Sequence, residues 1–444
     1  MWQGDDQNAH GIIAANFSLD HNFPETFTML SVAEALARVL HDFQSLSPEL
    51  VSSENVVRRV LAESISSTLD LPPFVNSSMD GYVVRADDVR AASAHSPVLL
   101  KVIGDIPAGT NPTMQIEKGS AARIMTGAKL PPGADAVVPV EATDNAQTVI
   151  GGVTPDRVSI FESVHAGDYV RSVGEDVCAG DIIFRAGAII SAYDVGALAA
   201  LGVQRVHVVR RPRVAIFSTG DELVSVDQTP GPGQIRDINM HALSALIKKY
   251  GGESLMLGIL RDDVNVVHRA LMDAVDQKAD MIVSSAGVSV GAYDVVKSAV
   301  ERDGSLNFWK VKMRPGKPLA YGKVRGVPFF GLPGNPVSAI VGFEIFVRPA
   351  LLKLGGYARV EKPILNVVVS ETLRSDGRET YLRAVVTRDG DEYVAHSAGG
   401  QGSNIVSALT RANALVIIPE DVTEVKAGER LKAWMLDWSE DVFL

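Results

Sequence analysis

The segment VAIFSTGDE (residues 214–222) decides the fold, because an apolar run ends abruptly in a polar turn that contains glycine. A predicted helix follows, with an apolar face formed by Met240, Leu243, Leu246, Ile247 and Tyr250. The strand-like runs LMLGIL (255–260) and DMIVSS (280–285), separated by a predicted helix over 264–276, repeat the alternation. Alternating strands and helices predict an α/β domain with a mostly parallel sheet and a ligand crevice at the carboxyl ends of its strands.

The same alternation continues through residues 328–354, PFFGLPGNPVSAIVGFEIFVRPALLKL. This segment predicts one more strand followed by a helix. Asn335 is expected to be the N-cap and Pro336 the first helical residue, because proline at that position loses no hydrogen bond. Pro349 is expected to kink the helix, since it has no N–H to donate.

The flanking segments differ from the α/β pattern. Ser31 and Glu34 form a capping-box pattern ahead of a predicted helix. Short apolar runs separated by glycine and proline turns predict a small β domain in the first half of the chain and another at its end. The sequence therefore predicts a flexible arm over 1–26, a linker domain over 27–65 and 170–206, an inserted β domain over 66–169, the α/β domain over 207–356 and a C-terminal β domain over 357–444.

Composition and charge exclude several classes of protein. The 444 residues are 46% hydrophobic, which excludes a disordered chain, and the net charge of −11 opposes binding to nucleic acid. The longest apolar stretches, around 187–203 and 336–352, carry charged residues and do not predict a membrane span. The single cysteine, Cys178, supports neither an intrachain disulfide nor a cysteine-rich zinc site. We therefore expect a soluble cytoplasmic protein with no nucleic-acid or membrane partner.

Three loops that follow predicted strands have the character of an anion cradle. Their glycines let backbone N–H groups approach a phosphate, and their hydroxyl groups add donors. The loops are Ser218-Thr219-Gly220-Asp221-Glu222, the segment from Ser284 and Ser285 to Gly287-Val288-Ser289-Val290-Gly291, and Leu332-Pro333-Gly334-Asn335-Pro336. The last of them directs a helix N-terminus at the crevice. The second also matches the GxSxG nucleophile pattern, so a serine hydrolase that uses Ser289 is an unfavoured alternative.

Charged residues accompany these loops. Four carboxylates supply the hard oxygen ligands that Mg²⁺ prefers beside phosphates: Glu222, Asp262, Asp263 and Asp294. Acidic residues at helix N-termini also offset the helix dipole, and the spacing leaves both interpretations open. The segment FWKVKMRPGKP (308–318) carries cations that form either a solvated face or an anion clamp: Lys310, Lys312, Arg314 and Lys317.

Seven motifs occur together and in the order of one known family. They are LPPFVNSSMDGYVV (71–84), RIMTGAKLPPGADAVV (123–138), GEDV (174–177), STGDEL (218–223), GVSVGAYD (287–294), MRPGKP (313–318) and GLPGNPVSA (331–339). The ordered set closely resembles the molybdopterin molybdenumtransferases, the molybdate-insertion family that includes the E domain of gephyrin. The resemblance covers about residues 30–440, nearly the whole chain.

The resemblance implies an enzyme of molybdenum cofactor biosynthesis that acts as an elongated homodimer. It implies that adenylyl-molybdopterin and molybdate give molybdenum cofactor, AMP and water, with Mg²⁺ as cofactor. The enzyme that adenylylates molybdopterin is a further expected partner. The resemblance also implies that each crevice combines parts of both subunits.

The resemblance also assigns roles to particular residues. Catalytic roles fall to Asp80, Asp176, Glu222, Asp262, Asp294 and Lys310. The metal would be held by Glu222, Asp262 and Asp294, and molybdate by Arg314, Arg383 and Ser403. Substrate binding is expected at Thr126, Ser218, Thr219, Gly220, Ser285, Gly287, Ser289, Lys317, Pro333 and Asn335.

Two positions depart from the family pattern. Ala286 stands where the family's SGGVSVG motif has glycine, which costs stability if the position needs a positive φ. Arg314 stands where lysine is common, so the charge is kept but a planar fork replaces a point donor. A non-catalytic scaffold on the same fold is the remaining alternative, and the presence of all the matched carboxylates argues against it.

Overall fold

The computed structural model describes residues 29–145, 153–286 and 292–437, which form two compact units. Unit 1 contains the chain up to Phe43, Arg213–Leu351 and the chain from Glu361 onward. Unit 2 contains Gln44–Pro212 and Leu352–Val360. The predicted arm over 1–26 lies outside the described residues, and the five predicted domain boundaries stay a prediction.

Helix α1 (Val32–His41), in unit 1, begins at the predicted capping box. The Ser31 hydroxyl accepts a hydrogen bond from Glu34 N at 3.2 Å, and the Glu34 carboxylate accepts one from Ser31 N at 2.9 Å. These reciprocal bonds satisfy two N–H groups that a helix N-terminus otherwise leaves free. After the helix, Asp42 accepts hydrogen bonds from the side chains of Tyr321 and Lys323, which fixes α1 on unit 1. The capping-box prediction is confirmed.

Unit 2 is mostly β structure. It contains helices α2 (Ala86–Val89) and α3 (Ala192–Ala200) and strands β1 (Pro48–Ser52), β2 (Ile65–Ser66), β3 (Asn76–Ser77), β4 (Gly81–Val84), β5 (Val98–Ile106), β6 (Ser120–Ile124), β7 (Ala136–Pro139), β8 (Arg157–Ile160), β9 (Val170–Arg171), β10 (Ile182–Phe184) and β11 (Arg205–Val209). Five of these strands form a sheet in the order β7-β4-β6-β5-β8. Side chains alternate along β4, so Tyr82 and Val84 join one apolar core and Val83 joins another. The expected small β domain is present.

The chain from Arg213 to Leu354 is the α/β part. Its elements are β12 (Arg213–Thr219), β13 (Leu223–Val224), β14 (Ile235–Arg236), α4 (Asn239–Lys249), β15 (Glu253–Leu260), α5 (Val264–Asp276), β16 (Met281–Ser285), α6 (Ala292–Glu301), β17 (Gly304–Lys310), β18 (Met313–Arg314), β19 (Pro318–Val324), β20 (Val327–Leu332), α7 (Pro336–Gly342) and α8 (Arg348–Leu354). The sheet order is β15-β12-β16-β20-β19-β17. Five of the six strands run in the same direction and only β19 is reversed, so the prediction of a mostly parallel sheet is confirmed.

Helices α7 and α8 are separated by a π-helical turn over Phe343–Val347. Asn335 is the N-cap of α7 and Pro336 its first residue, as predicted. The distortion lies just before Pro349, because proline has no N–H to donate to the carbonyl of Ile345 one turn earlier.

The rest of unit 1 is a β-barrel. Its elements are β21 (Ile364–Val369), β22 (Leu373–Arg374), β23 (Glu379–Asp389), β24 (Glu392–Ser397), α9 (Ser407–Arg411), β25 (Ala414–Ile418), β26 (Glu424–Val425) and β27 (Arg430–Met435). Pairing runs through β23-β24-β21-β27-β25 and returns to β23, which closes the barrel. Strand β18 also pairs with β23, opposing Arg314 to Thr380, and thereby joins the α/β part to the barrel. Of the helices in the described ranges, none combines the length and hydrophobicity needed to cross a bilayer.

Ala286 follows β16 directly and has φ +74°. Its N–H donates to the carbonyl of Leu332 at 3.1 Å, which ties this conformation to the end of β20. A left-handed backbone brings the Cβ of an L-residue close to a carbonyl oxygen, and only glycine avoids that contact without cost. The position therefore has the conformation that suits the family's glycine.

The first prediction concerns this strain. Ala286→Gly should raise the free energy of unfolding by roughly 0.5–1 kcal/mol, measured by urea denaturation, because the left-handed penalty exceeds the extra entropy of glycine. The control is Ala270→Gly inside α5, which should lower it by about 1 kcal/mol. A loss of stability in both variants would contradict the left-handed conformation at residue 286.

Candidate functional site

The loops that follow the parallel strands of unit 1 line a cleft of about 1090 Å³. Strands β12, β15, β16 and β20 end at Thr219, Leu260, Ser285 and Leu332, so their following loops meet at one edge of the sheet. Predicted site residues that line the cleft are Thr219, Gly220, Glu222, Asp262, Ser285, Arg314, Lys317, Pro333, Asn335 and Ser403. The barrel contributes Ser403 and its neighbours, so the cleft draws on both parts of unit 1.

Buried polar atoms without a hydrogen-bond partner gather at this edge. They are Ser218 Oγ, Thr219 Oγ1, Asp237 Oδ2 and Asn239 Oδ1. Leaving a buried polar group unpaired costs about 1–3 kcal/mol, so such a cluster indicates a ligand that completes the bonds. Ser285 differs, since its hydroxyl already accepts a hydrogen bond from Asn239 at 2.7 Å.

Glycine is required at residue 220. Gly220 has φ +146°, and a Cβ there would stand 2.6 Å from a carboxylate oxygen of Glu222. The missing side chain therefore lets the Glu222 carboxylate fold back over the turn after β12 and line the cleft.

Two of the three predicted metal ligands share the cleft. Glu222 and Asp262 line it, and partial burial together with the nearby carboxylates Asp221 and Glu222 raises the pKa of Asp262. Asp294 lies in the first turn of α6 and does not line the cleft. Within residues 29–145, 153–286 and 292–437, no three histidine, cysteine, aspartate or glutamate side chains converge on a metal position. Mg²⁺ commonly uses one or two carboxylates plus substrate phosphates and water, and the Glu222–Asp262 pair fits that mode.

The predicted molybdate residues are arranged around the barrel's contact with α7. The carbonyl of Ser403 accepts a hydrogen bond from Val337 N at 3.1 Å, which docks the loop after β24 on the start of α7. Arg314 lines the cleft and also a neighbouring cavity of about 220 Å³, and Arg383 lines that cavity. Lys310 ends β17, the last strand of the sheet, and does not line the cleft.

Arg383 is almost completely buried, with 1% of its surface exposed, and hydrogen bonds hold its guanidinium group in place. Its Nη2 donates to the carbonyl oxygens of Gly400 and Gly402, at 2.9 and 3.0 Å, while Nε has no partner. Burial, with a smaller contribution from Arg314, lowers the pKa of Arg383. A guanidinium this buried, with an unpaired N–H, is able to donate a charge-assisted hydrogen bond to an anion.

Sequence reasoning missed Gln401, which fixes the loop around Arg383. Its side chain accepts from Arg383 N at 3.0 Å and donates to Arg383 O at 2.9 Å, much as a paired strand would. It also donates to Gly399 O at 3.1 Å. Gln401 lines both cavities, and its place in the QGSN segment beside Ser403 was the available signal. Asp237 and Asn239 were also missed.

The remaining predicted residues lie elsewhere. In unit 2, Asp80 accepts hydrogen bonds from Thr126 N at 2.7 Å and from Thr126 Oγ1 at 2.9 Å, so this predicted pair is in contact. Asp176, also in unit 2, is exposed and its N–H donates to Leu71 O at 3.0 Å. Gly287 and Ser289 lie outside the described residues.

A cleft at the carboxyl edge of a parallel sheet, with unpaired hydroxyls and guanidinium groups, has the features of a small-molecule binding site. Three family models match this chain in order. They are the MoeA N-terminal region (domain I and II) over 30–202, a probable molybdopterin binding domain over 215–353, and the MoeA C-terminal region (domain IV) over 366–436.

Relatives match over most of their length. Molybdopterin molybdenumtransferase 2 of Mycobacterium tuberculosis (strain H37Rv) is 39% identical over 415 residues, covering 92% of this chain and 100% of the relative. The molybdopterin molybdenumtransferase of Nostoc sp. (strain PCC 7120) is 41% identical over 379 residues, covering 84% and 85%. The solved molybdopterin biosynthesis MoeA protein of Pyrococcus horikoshii OT3 has a TM-score of 0.76 at 29% identity, covering 92% of this chain and 100% of that chain. The chain belongs to the molybdopterin molybdenumtransferase family, transferases of molybdenum cofactor biosynthesis.

The second prediction tests the carboxylate pair. Because the pKa of Asp262 is raised in the folded protein, the ionised group is disfavoured there. The associated stability is present below the unfolded pKa and lost as pH rises through the folded pKa. Asp262→Asn should therefore raise Tm by about 1–2 °C at neutral pH and leave it unchanged at strongly acidic pH.

The matched control is a variant whose Tm should change in the opposite direction. His268 and then Arg325 lower the pKa of Asp303, so Asp303→Asn should lower Tm at neutral pH. Both values come from differential scanning calorimetry at the two pH values. A fall in Tm for Asp262→Asn at neutral pH would show that no carboxylate repulsion exists in the cleft.

Proposed function

We propose that this chain inserts molybdate into adenylyl-molybdopterin and releases AMP. The observation that carries the proposal is the cleft of unit 1, where phosphate-type loops face a guanidinium cluster. A substrate with a pyrophosphate and a dithiolene needs both kinds of surface. In the proposed reaction the two sulfurs displace two oxygen atoms of molybdate, which leave as two waters with the two thiol protons and two protons from solvent. One water then hydrolyses the phosphoanhydride bond and releases AMP, so one water is formed overall. Molybdenum stays hexavalent, so no electron is exchanged.

The loops after β12, β16 and β20 are proposed to hold the pyrophosphate. Ser218 Oγ and Thr219 Oγ1 are buried hydroxyls without partners, and a hydroxyl can donate to a phosphate oxygen. Positive charge placed before the reaction stabilises negative charge that develops on the leaving AMP. Lys317, which lines the cleft, supplies such a charge.

Mg²⁺ is the proposed cofactor, held by Glu222 and Asp262. Burial, and then repulsion from Asp221 and Glu222, raise the pKa of Asp262, and a divalent cation bound beside the carboxylates would relieve the repulsion. The ion would neutralise the phosphate oxygens during cleavage. Asp294 stays a predicted third ligand.

Molybdate is proposed to bind between Arg314, Arg383 and Ser403. Arg314 and Arg383 line one cavity, which continues to the cleft through Arg314 and Gln401. A planar guanidinium gives two parallel N–H donors to an oxyanion, which a lysine does not. Lys310 stays a predicted contributor.

The third prediction tests the reaction. AMP release from adenylyl-molybdopterin, followed by chromatography, should require both molybdate and a divalent metal. Arg383→Ala should raise the KM for molybdate by about tenfold or more, since it removes charge-assisted hydrogen bonds, with less effect on adenylyl-molybdopterin binding.

Arg388→Ala is the control, because Arg388 lies on the same strand with an exposed side chain. It should leave the KM for molybdate unchanged. AMP release at an equal rate in EDTA without molybdate would disprove the proposed reaction. An unchanged KM for molybdate in Arg383→Ala would show that the barrel does not contribute to the molybdate site.

A homodimer is the proposed assembly, and helix α3 supports it. The helix has the apolar sequence AYDVGALAA, yet only Leu198 is buried. Tyr193 is 92% exposed, and small residues recur on the exposed side at 192, 196, 199 and 200. Small residues at helical spacing let two helices approach closely, as they do at a two-fold axis. Such a dimer would give Asp80, Thr126 and Asp176 a catalytic role if crevices are shared between subunits.

The fourth prediction is that Ala199→Glu yields a monomer, because a buried, unpaired carboxylate at the interface costs more than the association provides. Light scattering after gel filtration measures the mass. Val153→Glu, at a residue that is 94% exposed, is the control and should stay dimeric. A dimeric Ala199→Glu protein would place the interface elsewhere.

The proposed location and partner follow from the chemistry. Cys178 is a free, exposed thiol, which suits the reducing cytoplasm. The substrate requires a molybdopterin adenylyltransferase upstream, and that enzyme is the proposed protein partner.

A further inference from the structure

Asp237 and Asn239 form a pair of unpaired acceptors in the wall of the cleft. Asp237 precedes α4 and Asn239 is its first residue. Both line the cleft and both are buried, with 3% and 7% of their surfaces exposed. Asp237 Oδ2 and Asn239 Oδ1 have no hydrogen-bond partner. Buried acceptors in a ligand cleft indicate what the ligand must present.

The neighbouring hydrogen bonds fix which atoms are left over. Asn239 Nδ2 donates to Gly334 O and to Ser285 Oγ, each at 2.7 Å. A carbonyl oxygen only accepts, so the amide cannot turn over, and Oδ1 stays an acceptor. Asp237 Oδ1 accepts from Asn239 N at 3.0 Å and from Met240 N at 3.2 Å, capping α4. Oδ2 is therefore the oxygen left for a ligand.

These two atoms exclude the anionic parts of the substrate. Phosphate and molybdate oxygens also act as acceptors at neutral pH, and they repel a carboxylate. The proposed function assigns the divalent ion to the two carboxylates Glu222 and Asp262, and titration with Mg²⁺ alone, described below, tests whether Asp237 binds it instead. The remaining partner is a neutral group with N–H donors.

We propose that Asp237 Oδ2 and Asn239 Oδ1 accept hydrogen bonds from the ring N–H and the amino group of the substrate's pterin. This inference rests on the proposed function, which supplies a substrate with two heterocycles. The pyrimidinone edge of a pterin presents two adjacent donors. The adenine edge presents one amino group beside a ring nitrogen that accepts, so it matches only one of the two oxygens. The wall beside α4 is thus the pterin subsite.

The test uses variants that keep the cap of α4. In Asp237→Asn, the amide oxygen must stay where it accepts the two backbone N–H groups, so an NH₂ donor replaces Oδ2. Asp237→Ser keeps a capping hydroxyl and removes the second oxygen. The control is Asp263→Asn, because Asp263 caps α5 in the same way, accepting from Asn265 N at 2.8 Å and Val266 N at 3.0 Å, and does not line the cleft.

Calorimetric titration of the full chain with molybdopterin, AMP and Mg²⁺ alone gives the readout, and thermal melts verify folding. Both Asp237 variants should raise the Kd for molybdopterin about tenfold or more, the scale of one hydrogen bond to a charged group, and leave the Kd for AMP unchanged. Asp263→Asn should change neither.

Three outcomes overturn the inference: an unchanged Kd for molybdopterin in both Asp237 variants, a loss confined to AMP, or a loss of Mg²⁺ binding in both. The wild-type chain separates this inference from the proposed function. Wild-type protein that releases AMP on molybdate addition, with Asp237 variants that bind molybdopterin normally, refutes the pterin subsite alone. Wild-type protein that binds neither molybdopterin nor AMP refutes both.

Discussion

The parallel register of four strands is the constraint on which the site depends. Ser218 of β12 is opposite Ser285 of β16, and Ser285 is opposite Leu332 of β20. Parallel strands all point the same way, so their following loops must meet at one edge. A slip of one residue would turn every side chain to the other face and separate the hydroxyls from the carboxylates of the cleft. The apolar residues of β12 and β16 oppose such a slip, because every residue of β16, and every residue of β12 after Arg213, is buried.

The second requirement is that the barrel stays in one position against the α/β part of unit 1. The pairing of β18 with β23 and the Ser403–Val337 hydrogen bond provide two fixed points. A third is the ion pair between Lys362 and Glu344 at 2.9 Å, both almost fully buried. Burying charges is costly unless further hydrogen bonds complete the pair. Tyr250 completes the pair by donating a hydrogen bond to Glu344. Burial, and to a smaller extent the charge of Glu344, raise the pKa of Tyr250.

Local patterns predicted the elements of the fold well, because periodicity and capping are set by neighbouring residues. The helix expected over 264–276 has those bounds, and the Ser31 capping box is formed. The cleft loops were predictable for the same reason, since strand ends are visible in the sequence. The role of Asn239 in the cleft was missed because its hydrogen-bond partner Gly334 lies 95 residues away in the sequence. A single polar residue at the start of a helix is normally interpreted as a cap. Lys310 lies outside the cleft lining although β17 runs parallel to β20, because β17 is the last strand of the sheet, two places from β20, and the order of strands is not visible in the alternation of charges.

The net charge of the chain explains why the proposed anion site would need buried cations rather than a basic surface. The chain carries a net charge of −11, yet its proposed substrates are anions. At physiological salt, exposed charges are screened beyond about 8 Å, so the net charge governs encounter and not the bound state. Arg383 is different, because burial protects its field from screening and its N–H groups are already oriented by Gly400 and Gly402. Arg383 is desolvated when the protein folds, and Gln401 holds its loop in place. At the proposed site, an oxyanion would therefore meet an oriented donor without further rearrangement of the loop.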